Sequence, residues 1–200
     1  MWNERYAGDE YAYGTEPNTF LAEHAHMLEG HVLSLAEGEG RNAVYLATLG
    51  LSVLGVDSSD VGLAKAQQLA KARNVEIEIE VADLATFVPR TNYYGAVVSI
   101  WAHMPTVMRT RLCPLIEQCL KPGGLVLLEA YSENQLHYGT GGPKDRDMLM
   151  SCEKIAQAFP NLETVLLTET EREIHEGKYH KGLSSVIQYI GQKSISSPQR

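Results

Sequence analysis

Short apolar segments alternate with helix-forming segments along most of the chain. Residues 31–36 are mostly apolar and lead through a glycine turn into a predicted helix over 41–49. Residues 51–56 lead into a second predicted helix, and apolar runs over 75–81 and 94–100 continue the alternation. Strands joined by helices at this spacing form right-handed crossovers. The pattern therefore predicts a doubly wound, Rossmann-like α/β fold with a mostly parallel sheet and helices on both faces.

The two ends of the chain depart from this alternation. Pro17 can open a helix that ends near Met27, because proline is favoured in the first helical turn. Pro105 can open another helix, which Pro114 is expected to kink or split. The remaining predicted elements are a strand over 125–130, a helix over 145–159, and two strands over 162–168 and 183–190 that a bent hairpin could join. We expect residues 1–30 to form a helical cap over the site and residues 192–200 to form a disordered tail.

Composition narrows the class of protein. The chain has 200 residues, of which 44% are hydrophobic and 21% charged, and its formal net charge is −8. A single packed domain over residues 1–200 is therefore expected, in the cytoplasm and without nucleic-acid or membrane partners. The 3 cysteines lack the spacing of a zinc site and the 7 histidines are scattered, so no metal is predicted. A monomer or a weak homodimer is expected.

Polar residues and glycines follow the predicted strands. Gly38 and Gly40 come after the first strand, where backbone amides and a helix N-terminus can approach a ligand. Asp57 ends the second strand and is placed to accept hydrogen bonds from a ribose, and Asp83 after the third strand could bind an adenine amino group. Either aspartate alone would more often be a helix cap. Because ligands of such sheets bind outside the carboxyl ends of the strands, their joint placement predicts a cofactor site.

Residues 33–47, which read LSLAEGEGRNAVYLA, resemble the first motif of class I S-adenosylmethionine (SAM)-dependent methyltransferases, in the branch with the tellurite-resistance and thiopurine-type enzymes. Residues 56–66, 120–124 and 138–143 are similar to further segments of that branch. The resemblance implies a seven-stranded sheet with an antiparallel last strand, SAM as cofactor and S-adenosylhomocysteine (SAH) as product. The cofactor-binding residues that it implies are Ala36, Glu37, Gly38, Gly40, Asn42, Asp57, Ser58, Ala82, Asp83, Leu84, Ser99, Ile100 and Trp101.

Two positions depart from the family pattern. Ser34 stands where the family has an aspartate, and Ala36 stands where it has a glycine. Glu37 could replace the missing acid near the ammonium group of SAM, or the methyl group of Ala36 could crowd its methionine portion. The sequence leaves both alternatives open.

The implied reaction is a direct in-line transfer of a methyl group to a small-molecule acceptor, such as a thiol, a chalcogen oxyanion or a similar nucleophile. Such a transfer needs proximity and orientation but no covalent enzyme intermediate. The candidate catalytic residues are His103, Tyr13 and His180, and Tyr11, Trp101, Tyr138 and His175 are further candidates for the substrate wall. The charged residues of a predicted solvated turn are Glu171, Arg172, Glu173 and Glu176, although Arg172 or Lys181 could attract an anionic substrate. Glu176 occupies a position where tellurite-type enzymes place an arginine, which disfavours tellurite.

Other functions fit parts of the sequence. A SAM-binding regulatory protein without catalytic activity would explain the changes at Ser34 and Ala36. A nicotinamide-dependent reductase would explain the glycine turn, although the chain lacks a second substrate domain. A nucleic-acid methyltransferase is disfavoured by the acidic charge and by the sequence Ser-Ile-Trp-Ala over residues 99–102.

Overall fold

Seven strands form one sheet at the centre of the molecule. The computed structural model describes residues 2–195. The strands are β1 (His31–Leu35), β2 (Ser52–Asp57), β3 (Glu78–Val81), β4 (Tyr94–Ile100), β5 (Leu120–Tyr131), β6 (Leu162–Glu176) and β7 (His180–Lys193). Their order across the sheet is β3-β2-β1-β4-β5-β7-β6, and β7 runs antiparallel to both of its neighbours. The predicted seven-stranded sheet with an antiparallel last strand is confirmed.

Helices cover both faces of this sheet. They are α1 (Trp2–Tyr6), α2 (Thr19–His24), α3 (Arg41–Thr48), α4 (Asp60–Ala72), α5 (Thr106–Cys119) and α6 (Cys152–Ala158), with 3-10 turns at Ala25–Met27, Glu133–His137 and Arg146–Met148. Side chains alternate between the two faces along each strand. On β1, Leu33 and Leu35 pack with α5 and α6 on one face, while Val32 packs with α2 and α3 on the other. The predicted doubly wound architecture follows from these two separate cores.

The register brings the ends of the central strands to one edge. Leu35 at the end of β1 pairs with Val56 on one side and with Ser99 on the other. The turns after β1, β2 and β4 therefore leave the sheet side by side. No helix among residues 2–195 is both long and apolar enough to span a bilayer.

Several predicted element boundaries are wrong. Helix α2 begins at Thr19, because the side chain of Asn18 accepts the Leu21 amide and caps the helix, so Pro17 lies before it. Helix α5 continues through Pro114 and is not split. The carbonyl of Thr110 loses its helical partner there, but Thr110 is exposed, so water can satisfy this group.

The carboxyl-terminal half also differs from its prediction. The predicted helix over 145–159 is a 3-10 turn followed by the shorter α6, whose cap is Ser151. Strands β6 and β7 extend well beyond their predicted ranges, because they form a long hairpin in which each pairs with the other along its length. The predicted disordered tail over 192–200 is wrong at its start, since β7 runs to Lys193, and residues 196–200 lie outside the described residues.

Candidate active site

A cavity of about 530 Å³ lies beyond the carboxyl ends of β1, β2, β3 and β4. Most of the predicted site residues line it: Tyr13, Ala36, Glu37, Gly38, Asn42, Asp57, Ser58, Ala82, Asp83, Leu84, Ile100, Trp101, His103 and His180. Gly40 and Ser99 are not among the lining residues. Ser99 is buried within β4, and Gly40 caps α3 with a φ of 92°, where an added Cβ would come within 2.5 Å of Cβ of Ala66. Gly40 therefore allows the close approach of α3 and α4.

The glycine turn after β1 is held by the carboxylate of Asp57. One oxygen of Asp57 accepts the Gly38 amide at 2.9 Å and the other accepts the Ser59 amide at 2.8 Å. Gly38 has a φ of 62°, and an added Cβ would lie 2.7 Å from the hydroxyl oxygen of Tyr6. Burial raises the pKa of Asp57 above its ordinary value. Asp57 thus links the turns after β1 and β2 while it faces the cavity.

Glu37 is tied into the protein by both of its carboxylate oxygens. Oε1 accepts the Ala43 amide at 2.9 Å, at the start of α3, and Oε2 accepts a short hydrogen bond from the Ser34 hydroxyl. Burial raises the pKa of Glu37 to about 7, although these hydrogen bonds and the charge of Arg41 oppose the shift. Ser34 and Glu37 together therefore support the turn where the family pattern has a single aspartate.

Asp83 and Leu84 form the next part of the cavity wall. The Ala82 amide donates to the Asp57 carbonyl at 2.9 Å, which places the turn after β3 beside the turn after β2. One oxygen of the exposed Asp83 accepts the Ala85 amide at 2.8 Å. A glycine turn, a buried carboxylate and a second carboxylate beside an apolar residue match the donors and acceptors of an adenosyl group. The residues present therefore fit SAM.

Four rings form a stack at the other end of the cavity: Trp101, His103, Tyr131 and His180. The Trp101 ring centroid lies 4.5 Å from that of Tyr131 and 5.0 Å from that of His180. Trp101 has a φ of 56°, which is unusual for a residue with a side chain. Tyr131 was not predicted as a site residue, although it is the last residue of β5 and so lies at the carboxyl end of a strand, where the site was expected.

Both histidines in this stack are neutral at neutral pH. The Tyr131 backbone amide donates to Nε2 of His103 at 3.0 Å, and burial lowers the pKa of His103 to about 4. The His103 ring also hydrogen-bonds to the backbone of Trp101. Nδ1 of His180 lies 2.7 Å from the Tyr131 hydroxyl, and burial and the nearby Arg41 lower the His180 pKa to about 3. The bond from the Tyr131 amide occupies Nε2, which disfavours this nitrogen of His103 as a base.

The amino-terminal segment lies across the cavity. Nη1 of Arg5 donates to the Tyr13 hydroxyl at 2.9 Å, and the Arg5 guanidinium lies 4.5 Å from the ring centroid of Tyr179. Lys65 on α4 anchors the segment, because its ammonium donates to the carbonyls of Gly8 at 2.9 Å and Glu10 at 2.8 Å. The segment also reaches the hairpin, where the Lys178 amide donates to the Ala12 carbonyl at 2.9 Å.

A buried network of charged groups lies beneath the ring stack. Arg41 pairs with Glu176 at 2.6 Å, and Arg172 pairs with Glu129 at 2.6 Å and with Glu176 at 2.8 Å. These pairs lower the pKa of Glu176 to about 2 although its burial acts in the opposite direction. The interpretation of residues 171–176 as a solvated turn is therefore wrong for Arg172 and Glu176. Opposite charges from β5, β6 and α3 meet there, which a local reading of the sequence cannot detect.

Three of the suggested wall residues lie elsewhere. His175 is exposed on β6, and the hydroxyl of Tyr138 donates to Glu171. The hydroxyl of Tyr11 donates to the Lys65 carbonyl at 3.3 Å. None of the three lines the cavity. Six residues that no sequence motif indicated also line the cavity: Arg5, Tyr6, Met104, Met108, Met148 and Tyr179.

Comparison with known proteins places this site in a family. Residues 32–124 match the family described as methyltransferase domain. This match covers slightly less than half of the chain. The match spans the glycine turn, both carboxylates and the ring-bearing turn after β4. It decides against the nicotinamide-dependent reductase. A comparison with curated protein sequences gave no match.

Solved structures share the fold over most of the chain. A protein described by the conversion of a disulfide bond into a thioacetal group during echinomycin biosynthesis is 18% identical, with a TM-score of 0.78, and the match covers 98% of this chain and 89% of that one. TehB from Haemophilus influenzae is 17% identical, with a TM-score of 0.72, over 96% of this chain and 66% of that one. Magnesium protoporphyrin IX methyltransferase from Synechocystis, with bound SAH, is 15% identical, with a TM-score of 0.64, over 87% of this chain and 78% of that one.

At these identities the similarity establishes the class I methyltransferase fold. Residues 32–124 match a methyltransferase domain within this fold, and SAM-dependent methyltransferases are among the solved structures that share it.

Proposed function

We propose that this methyltransferase transfers the methyl group of SAM directly to an uncharged or weakly charged small molecule with a soft nucleophilic atom, such as a thiol. The observation that carries the proposal is a single cavity with two chemically different ends. The glycine turn and Asp57 form one end, and the stack of Trp101, Tyr131 and His180 forms part of the other. This arrangement fits a donor and an acceptor held face to face, which is the geometry of an in-line displacement.

At the cofactor end we assign Asp57 to the ribose and Asp83 to the adenine. The charge-bearing sulfonium of SAM supplies an activated methyl group when it is bound. Glu37 is not assigned to the cofactor ammonium, because both of its oxygens already accept hydrogen bonds from Ala43 and Ser34. Its role in this proposal is to support the turn, and the SAM ammonium is left to other groups in the cavity.

The charges around the cavity support an acceptor that is not a strong anion. Its charged lining residues are Arg5, Glu37, Glu39, Arg41, Asp57 and Asp83. Arg41 is paired with Glu176, and the four lining carboxyl groups outnumber the two arginines, so the lining disfavours an oxyanion. Chalcogen oxyanions, including tellurite, therefore rank below thiols. The similar protein of echinomycin biosynthesis converts a disulfide, which is also sulfur chemistry.

Apolar sulfur-bearing side chains also contribute to the cavity wall. Met104, Met108 and Met148 line the cavity. Methionine is polarisable and adapts its shape to irregular ligands, which suits a soft acceptor. A thiolate needs no general base, and the low pKa values of His103 and His180 fit a wall that orients the acceptor without taking its proton.

A binding protein without catalytic activity is the alternative that remains. Calorimetry with SAH and NADH, followed by a radiolabelled-methyl assay over small thiols, thiopurines, selenite and tellurite, separates the possibilities. We expect SAH binding, no NADH binding, and transfer to one or more thiols. SAH binding with no turnover on any acceptor would favour the non-catalytic protein, and turnover only on tellurite or selenite would contradict the acceptor assignment.

The ribose assignment of Asp57 has its own test. We expect Asp57→Ala to weaken SAH binding severalfold or more, since a ribose diol would lose its acceptor and the turn would lose its hydrogen bond to Gly38. Calorimetry measures the affinity, and Glu76→Ala on the exposed surface is the control. Unchanged affinity in Asp57→Ala would remove this residue from the ribose role.

A further inference from the structure

The carboxylate of Glu176 collects hydrogen bonds from four parts of the fold. Oε2 accepts from Nη2 of Arg41 at 2.6 Å and from the indole Nε1 of Trp101 at 2.7 Å. Oε1 accepts from Nδ2 of Asn18 at 2.9 Å and from Nη2 of Arg172 at 2.8 Å. Glu176 itself is the last residue of β6 and is only 6% exposed. One side chain thus joins the start of α3, the turn after β4, the cap of α2 and the end of the hairpin.

Two of these donors belong to opposite ends of the cavity. Arg41 is the first residue of the helix that follows the glycine turn, and Trp101 is part of the ring stack. Both residues line the cavity. The position of Trp101 relative to the cofactor turn therefore depends on a carboxylate that contacts both.

We propose that Glu176 is a positioning residue. It holds the Trp101 indole, and through it the ring stack that forms the acceptor wall, at a fixed position relative to the glycine turn of the cofactor end. The proposal rests on the methyl-transfer function proposed above. Glu176 acts through Trp101 and does not itself contact either reactant.

The conformation of Trp101 explains why such a contact is needed. A φ of 56° is unfavourable for tryptophan and persists only where the surroundings hold it. The Trp101 amide donates to the Glu129 carbonyl at 2.9 Å, which fixes the backbone, while the indole bond to Glu176 fixes the ring. His180 and Tyr131 then stack on a ring that cannot rotate away.

Stability alone does not account for the network. A buried ion pair often contributes no more stability than apolar residues of the same volume, because desolvation offsets the attraction. What the network adds is a fixed direction for each group. Arg172 remains engaged by both oxygens of Glu129, at 2.9 and 2.6 Å, so a change at Glu176 does not leave this arginine without a partner.

The first test uses Trp101 as its own reporter. The chain has 2 tryptophans, so Trp2→Phe leaves Trp101 as the single fluorophore. In that background we compare Glu176→Gln with Glu173→Gln, which changes an exposed glutamate on the same strand. We expect Glu176→Gln to move the emission to longer wavelength and to raise acrylamide quenching by roughly twofold, because an NH2 group replaces one carboxylate oxygen and the indole then competes with three other donors for the remaining acceptor. Emission and quenching equal to those of Glu173→Gln would overturn the proposal.

The second test separates positioning from a simple loss of charge. The negative charge of Glu176 raises the pKa of His180, so its removal alone would lower that pKa further. If the wall instead loosens and His180 meets water, its pKa rises toward 6.5. We expect NMR titration to show the rise in Glu176→Gln, whereas a fall or no change would count against positioning.

A third variant tests the same proposal if Glu176→Gln does not fold. Trp101→Phe removes the indole N–H and keeps a ring in the stack, and Trp2→Phe is its control. We expect the same rise in the His180 pKa in Trp101→Phe alone, and its absence would overturn the proposal. SAH binding by the parent protein is measured in parallel. Failure of the parent to bind SAH would contradict the proposed function, while the fluorescence and NMR results would still decide the role of Glu176.

Discussion

Ala36 holds a backbone conformation that alanine rarely adopts. Its φ is 51°, in the left-handed region, at the position where the family pattern has glycine. A residue with a Cβ pays roughly 1–2 kcal/mol there, while glycine loses about 0.4–1 kcal/mol through the greater freedom of its unfolded chain. The backbone strain of Ala36 in the folded protein therefore exceeds, by a small margin, the entropic cost of folding a glycine at this position.

We therefore expect Ala36→Gly to stabilise the protein by about 0.5 kcal/mol, from these two opposing contributions. Urea unfolding measures the change, and Ala47→Gly inside α3 is the control, because a glycine in a helix interior costs about 1 kcal/mol. SAH calorimetry on the same variants addresses crowding by the Ala36 methyl group. Tighter SAH binding in Ala36→Gly would support crowding, and equal destabilisation of the two variants would contradict the strain argument.

Glu37 makes stability depend on pH. Its pKa rises from 4.5 unfolded to about 7 folded, so between these values the folded protein binds more protons than the unfolded chain. The stabilisation from its protonated form is complete below pH 4.5 and is lost as the pH rises through 7. The full effect is on the order of 3 kcal/mol.

We expect Glu37→Gln to remove this dependence. Because His103 and His180 have lowered pKa values, they act in the opposite direction and stabilise the fold as the pH rises toward 6.5. The difference in the free energy of unfolding between the parent and Glu37→Gln therefore gives the contribution of Glu37 alone. Urea unfolding from pH 5 to 8 should show the parent losing stability relative to the variant as the pH increases, and parallel curves would contradict the raised pKa of Glu37.

At the scale of single residues, the sequence was sufficient to predict site residues that directly follow a strand along the chain. Asp57 and Gly38 follow strands at the sheet edge, and both line the cavity. Glu176 and Tyr131 gain their surroundings from residues far away in the chain. The partners of Glu176 lie up to 158 positions away, at Asn18, and no spacing in the sequence indicates that contact.

At the scale of elements, alternation of apolar strands and helices was sufficient to predict the central sheet. Strand β4 matches its predicted range, because a strand buried on both faces is a continuous apolar run. The hairpin was underestimated, since β6 carries glutamates at alternate positions along its exposed part and looks like a solvated segment. Its partner strand supplies the hydrogen bonds that keep it extended.

Lys65 is the main polar attachment of the amino-terminal segment to α4, and Asn3 adds a second one through its hydrogen bond to Asp60. The Lys65 ammonium contacts the carbonyls of Gly8 and Glu10 and lies 2.5 Å from Oε1 of Glu39. Glu39 in turn accepts the Ala12 amide at 2.7 Å through Oε2. This lysine and this glutamate therefore hold the segment against the body of the protein.

We expect Lys65→Met to release residues 2–13 without unfolding the sheet. Breaking a buried pair leaves a buried charge at a cost of about 3 kcal/mol, but local opening lets water reach Glu39 and limits that cost. Hydrogen exchange should accelerate in residues 2–13 alone, and SAH should bind severalfold more weakly. Lys71→Met, an exposed lysine on the same helix, is the control. If residues 2–13 were protected from hydrogen exchange equally in Lys65→Met and in the control, Lys65 would not be an anchor of this segment.

At the scale of the whole molecule, the cavity is closed by parts of the chain that lie far apart. The sheet edge forms its floor, and residues 2–14 together with the hairpin tip at 177–180 form a roof. The two parts of the roof touch, since the Lys178 amide donates to the Ala12 carbonyl and an added Cβ on Gly177 would lie 2.4 Å from Cα of Tyr13. The sequence predicted the floor and a helical cap over residues 1–30, but the cavity-lining residues of that range lie within 2–14, while α2 packs against the sheet. The contribution of the hairpin tip was not predicted.

A ligand in this cavity must therefore stabilise the floor and both parts of the roof together. At SAH concentrations of 100 times its dissociation constant, we expect a gain of about 2.7 kcal/mol, which corresponds to a rise in Tm of roughly 5–10 °C for a chain of this size. Differential scanning calorimetry measures the rise, and NADH and Asp57→Ala are the controls. Hydrogen exchange should slow in both parts of the roof at the same SAH concentration. Protection of the floor alone would mean that the roof does not close over the bound cofactor, because a ligand stabilises only the segments that its binding holds in place.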